Sequence, residues 1–116
     1  MKDFDITITI KKTITKQNIV DTFITACEGG SNYWCKSVTP KKKTGDAYEA
    51  MLNGFELVDG ESGATYLIGP DAIKNAFQKM AEKYPLRLED IINENADADD
   101  ADVFLQLCVF KDVVYG

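Results

Sequence analysis

The sequence predicts a single α+β domain, an antiparallel sheet of three to five strands with helices packed on one face. Three observations predict it. Residues 4–11 alternate apolar and polar side chains with a period of two. Two later stretches, from Thr15 and from Pro70, repeat apolar residues at helical spacing. Between them the spacer Asp59-Gly60-Glu61-Ser62-Gly63 separates two short strand-like runs at hairpin length. A chain of 116 residues is the size of one domain and long enough to bury a core.

Taken in order, Phe4, Ile6, Ile8 and Ile10 alternate with Asp5, Thr7, Thr9 and Lys11, which predicts a strand with one buried face. Thr15 is a suitable N-cap for a helix whose stripe is Ile19, Val20, Phe23, Ile24 and Cys27. Gly29-Gly30 is expected to end that helix in the left-handed conformation. A strand over Tyr33–Val38 follows, ended by Pro40 and a basic loop. Residues 47–53 fit neither period. Phe55–Val58 and Ala64–Ile68 form the hairpin. Pro70 and Asp71 open a second helix with the stripe Ile73, Phe77, Met80, Ala81 and Tyr84, closed by Pro85. Leu88, Ile91 and Ile92 indicate a short third helix. For the last segment, length and the aspartates before it favour a helix over a buried strand in Val103–Phe110.

Composition narrows the chemistry. Thirteen basic and nineteen acidic residues leave a net charge of −6, which disfavours general nucleic-acid binding. No histidine is present, so histidine acid–base catalysis and histidine-ligated metals are excluded. Cys27, Cys35 and Cys108 lack the spacing of a zinc site or a disulfide framework. No apolar run reaches the length of a membrane span and the N-terminus lacks a signal-peptide pattern, so the expectation is a cytoplasmic protein with no membrane partner and no cofactor.

Two stretches carry the candidate function. In Glu28-Gly29-Gly30-Ser31-Asn32-Tyr33-Trp34-Cys35 the glycines leave backbone amides open, Ser31 and Asn32 add short donors and acceptors, and Tyr33 or Trp34 offers a face on which a base could stack for roughly 1–3 kcal/mol. Glu28 stands at a helix C-terminus, where the dipole opposes its charge, and so calls for a compensating contact. Lys41, Lys42 and Lys43 could receive phosphates. A helix cap followed by an amphipathic strand, with a solvated lysine loop, needs the same residues and is the commoner arrangement. The second stretch crowds Glu89, Asp90, Glu94, Asp97, Asp99, Asp100 and Asp102 into fourteen residues. An EF-hand fails, because counting from Asp97 puts Asp102 at position six and Cys108 at position twelve. The segment could instead mimic a nucleic-acid backbone, or favour the start of the last helix.

The run Cys27–Cys35 and the ending Ala101-Asp102-Val103-Phe104-Leu105-Gln106 through Val113-Val114-Tyr115-Gly116 together resemble small bacteriophage and prophage proteins, in which an EGG-NYW corner is followed by a C-terminal ADV-LQ…VYG segment. The resemblance implies a setting in the host cell cytoplasm and accessory or anti-defence work done by binding. It points to a small nucleotide-like ligand held by Glu28, Gly29, Gly30, Asn32 and Trp34, with Asp102 and Gln106 beside them. The alternative is an acidic inhibitor or adaptor that engages a host protein through residues 89–102. A small enzyme with a carboxylate site is the third reading. Sheet edges left to cover suggest a homo-oligomer.

Overall fold

A computed structural model describes residues 4–116 of the chain. The first helix, α1 (Lys16–Thr25), starts at a reciprocal cap: the Thr15 hydroxyl accepts from the Asn18 amide, and the Asn18 side chain accepts from the Thr15 amide. Its buried line is Asn18, Thr22, Phe23 and Ala26, while Ile19, Val20, Ile24 and Cys27 are only half-buried. The inward face is thus turned from the one the apolar spacing predicts, because Thr22 returns its hydroxyl to the Asn18 carbonyl and packs at little polar cost. The helix widens into a π turn over Ala26–Gly30. Neither Gly29 nor Gly30 is left-handed, contrary to expectation. Gly30 is needed for space, since a Cβ there would lie 2.4 Å from the Ala98 carbonyl oxygen.

The sheet has three antiparallel strands in the order β1 (Cys35–Pro40), β2 (Phe55–Asp59), β3 (Thr65–Ile68). Pro40 pairs with Phe55, and Phe55 with Ile68. Strand β1 starts two residues later than predicted, because Tyr33 and Trp34 belong to a turn in which the amides of Trp34 and Cys35 both donate to the Ser31 carbonyl. Residues 47–53 resolve into one helical turn, α2 (Ala47–Ala50), capped by Asp46, and a 3-10 turn over Met51–Asn53. Phe55, Leu57 and Ile68 turn inward, and Glu56 and Leu67 face solvent.

Helices α3 (Pro70–Lys83) and α4 (Pro85–Ile92) follow the predicted prolines. The last helix, α5 (Ala98–Phe110), is buried from Asp100 through Val109 and touches α1, α3, α4 and β3. A helix buried on every side has no polar face to reveal its period, which is why its sequence also reads as a strand. Phe104 sits at its centre, stacked on Phe77 at 4.4 Å and packed against Phe23 at 5.3 Å.

The predicted N-terminal strand is not formed. Residues 5–15 take no regular structure and do not join the sheet. Phe4, Ile6, Ile8 and Ile10 are 92, 83, 76 and 72% exposed. The alternation is correct for a strand, but the fold supplies it no neighbour; the strand range of the sheet falls to its lower limit.

Candidate functional site

The two stretches singled out in the sequence meet. Asp102, on the second turn of α5, receives four donors: the Ser31 hydroxyl at 2.8 Å and the Trp34 indole N–H at 2.7 Å on one oxygen, and the Tyr33 hydroxyl at 2.5 Å and the Gln106 amide at 3.0 Å on the other. One turn further, Gln106 lies on the same face. Its amide nitrogen also donates to the Tyr115 carbonyl at 3.1 Å, and its oxygen accepts from the amides of Val114 and Tyr115 at 2.7 and 2.8 Å. The C-terminal tail is thereby tied down, and the Tyr115 hydroxyl goes on to donate to Asp59 at 2.7 Å.

This junction is packed shut. Trp34 is 1% exposed, held 5.2 Å from Phe110 and stacked on Tyr115 at 5.7 Å. Asp102 and Gln106 are buried, and among the described residues no buried side-chain polar atom lacks a hydrogen-bond partner. The expectation that Trp34 offers a stacking face is therefore corrected: both its ring and its N–H are committed inside the protein. The same commitment removes Asp102 and Gln106 as ligand contacts, because their donors and acceptors are already matched.

The remaining expected site residues do not converge. Glu28 is exposed at the π turn and accepts from the Tyr48 hydroxyl at 2.8 Å, which supplies the compensating contact its position requires. Gly29 is exposed and Gly30 abuts α5. Asn32 lines a cleft of about 260 Å³ with Cys27, Cys35 and Tyr48. Lys41 and Lys43, but not Lys42, line a different cleft of about 660 Å³ at the end of the sheet, beside Phe55, Leu67 and Gly69.

The acidic segment is also taken apart. Asp97 caps α5 by accepting from the Asp100 amide, and Asp100 returns its carboxylate to the Asp97 amide and receives Arg87 at 2.8 Å. With Asp102 in the junction as well, Asp97, Asp100 and Asp102 all serve the fold, so residues 97–102 do not present a row of exposed charge. The reason is local: acids at the first turn of a helix are drawn to its unpaired amides.

Reactive chemistry is held down by burial. Desolvation pushes the Cys27 thiol up to about 12 and Cys35 up to about 11, and raises Cys108 as well. Tyr33 is pushed to about 12 by desolvation and by its hydrogen bond to Asp102. At neutral pH these four groups stay protonated. Among the described residues no three Cys, Asp or Glu side chains gather to hold a metal ion.

A larger concavity lies elsewhere. A cleft of about 820 Å³ opens between the N-terminal segment and helices α3 and α4, lined by Ile8, Ile10, Phe77 and Leu88 with Glu82 and Glu89 at its wall. Leu86, also on its lining, is 82% exposed. Sequence reading missed this surface because it assigned the N-terminal strand to the sheet. It also missed Asp59 and Tyr115 as members of the junction, and took Ser31 and Tyr33 as ligand contacts where both donate to Asp102. The signal for that junction was one acid and one amide, four apart, inside the otherwise apolar run Ala101–Phe110.

Comparison with known proteins adds no second line. The chain matches no protein family, no curated protein and no solved structure.

Proposed function

We propose that the chain is a non-enzymatic binding protein that works by protein contact, its working surface the N-terminal segment and the cleft beneath it. One observation carries this reading: four large apolar side chains of a segment outside the sheet stand 72–92% exposed, and two of them, Ile8 and Ile10, line the cleft. Exposed apolar surface of that continuity marks an interaction site, and a segment of strand-like alternation outside the sheet is suited to strand addition. The likeness of the corner and tail to phage and prophage proteins supports an accessory or anti-defence role in a host cell. Tagged protein expressed in bacteria, with and without Ile6→Glu and Ile8→Glu together, tests the reading. Polypeptides that co-purify with the unmodified chain, further copies of itself included, should be lost from the variant. An identical set retained by both would overturn it.

A second reading keeps the nucleotide-like ligand but moves it to the sheet-end cleft, where Lys41 and Lys43 stand over apolar Phe55 and Leu67. Calorimetric titration with nucleotides should then show binding that disappears in Lys41→Ala/Lys43→Ala. Heat unchanged by those substitutions would exclude it.

A further inference from the structure

We infer that the partner of the N-terminal segment is the same segment of a second copy, paired antiparallel about a two-fold axis. The inference rests on that segment being the working surface and goes on to name what covers it.

The sequence of the segment is self-complementary. Antiparallel pairing centred on Ile8 sets Ile6 opposite Ile10, Thr7 opposite Thr9, and Asp5 opposite Lys11. Apolar residues meet apolar residues on one face, and polar residues meet polar residues on the other. A pattern that reads alike from both ends is what an isologous contact requires, since each residue must serve as its own partner's partner.

Charge favours the same occupant. The chain as a whole is acidic, with a net charge of −6, so copies repel one another over most of their surface. Residues 4–16 hold Lys11, Lys12 and Lys16 against Asp5, and the cleft lining carries Glu82 and Glu89 beside Lys12 and Lys74. Lys12 already forms an ion pair with Glu89 in the single chain. Glu82, which pairs with no lysine or arginine among the described residues, is left to meet the basic segment of the other copy.

The cleft leaves part of its own apolar lining exposed. Ile8 and Ile10 lie along it yet remain 76 and 72% exposed. One strand does not cover it. A two-stranded ribbon with its isoleucine face turned onto Phe77, Leu86 and Leu88 would cover both strands at once, and would give each strand the hydrogen-bonded neighbour it lacks in the sheet.

Sedimentation equilibrium of the purified full chain tests the inference. A dimer is expected, reverting to monomer in Ile6→Glu/Ile8→Glu with far-ultraviolet circular dichroism and Trp34 emission unchanged, because both side chains are exposed in the monomer. Under mild oxidation Ile8→Cys should form a disulfide-linked dimer, whereas Phe4→Cys, facing Lys12 in this register, should not. A monomeric unmodified chain would overturn the inference, and in that case loss of a different co-purifying protein from the arm variant would leave the proposed function standing. A dimer that survives Ile6→Glu/Ile8→Glu would overturn it from the other side. Crosslinking through position 4 in place of position 8 would overturn the register.

Discussion

Asp59 is 1% exposed at the end of β2, and its carboxylate is spoken for on both oxygens. Burial alone would raise its pKa. The Tyr115 hydroxyl, the amides of Glu61 and Ser62 and the Ser62 side chain outweigh that effect and hold the group below its ordinary value of 3.8. A carboxyl with a depressed folded-state pKa stabilises the fold fully above 3.8, and that stabilisation is lost as pH falls from there through the folded value. Asp100 acts with the opposite sign: desolvation raises it, so the folded state takes up its proton more readily than the unfolded chain. Asp59→Asn should therefore lower the urea midpoint at neutral pH and flatten its fall on acidification below 3.8, leaving the opposing Asp100 effect in place. Equal acid slopes in Asp59→Asn and the unmodified chain would show that this carboxylate is not what the acid limb reports. None of this was visible locally, since Asp59 reads as a turn residue and its partner Tyr115 lies 56 positions away.

At the level of elements, the two glycines of the corner differ although they are neighbours. A Cβ on Gly29 would meet nothing within 4 Å, whereas one on Gly30 would strike backbone at the start of α5. Neither needs a left-handed conformation. Gly29→Ala should be neutral or stabilising by up to about 1 kcal/mol, from helix propensity. Gly30→Ala should cost about 1–3 kcal/mol, because the π turn and α5 must separate. Chemical denaturation of the two variants checks the contrast, and equal midpoints would mean that the contact is not close. Element boundaries set by caps and prolines were legible in the sequence: Thr15 and Pro70 start the helices they were expected to start, and the hairpin spacer is where its glycines place it. What was not legible depended on distant neighbours. The corner reads as an open pocket until α5 is laid across it, and the N-terminal alternation reads as a sheet strand until the sheet is found to be complete without it.

For the whole molecule, the junction and the core are joined through α5. Asp102 and Gln106 face the corner and the tail, while Phe104, on the same helix, is 0% exposed among Phe23 and Phe77. Trp34 reports on the junction and is the chain's only tryptophan; far-ultraviolet circular dichroism reports mainly on the helices. If α5 transmits the loss of either region to the other, the described fold is one cooperative unit. Phe104→Ala should then cost about 3–5 kcal/mol by opening a cavity in the core, and should move the urea transitions of Trp34 emission and of helix content to the same lower midpoint. Phe104 is not among the rings packed on Trp34, which are Phe110 and Tyr115, so a common shift requires the structure between them, α5 included, to couple the two. Separation of the two transitions, with Trp34 emission holding its original midpoint while helix content is lost, would show the junction to be an independent unit. In that event the tail and corner would form a clasp stable without the core, and the reading of Asp102 as a fixed part of a single folded body would have to be given up.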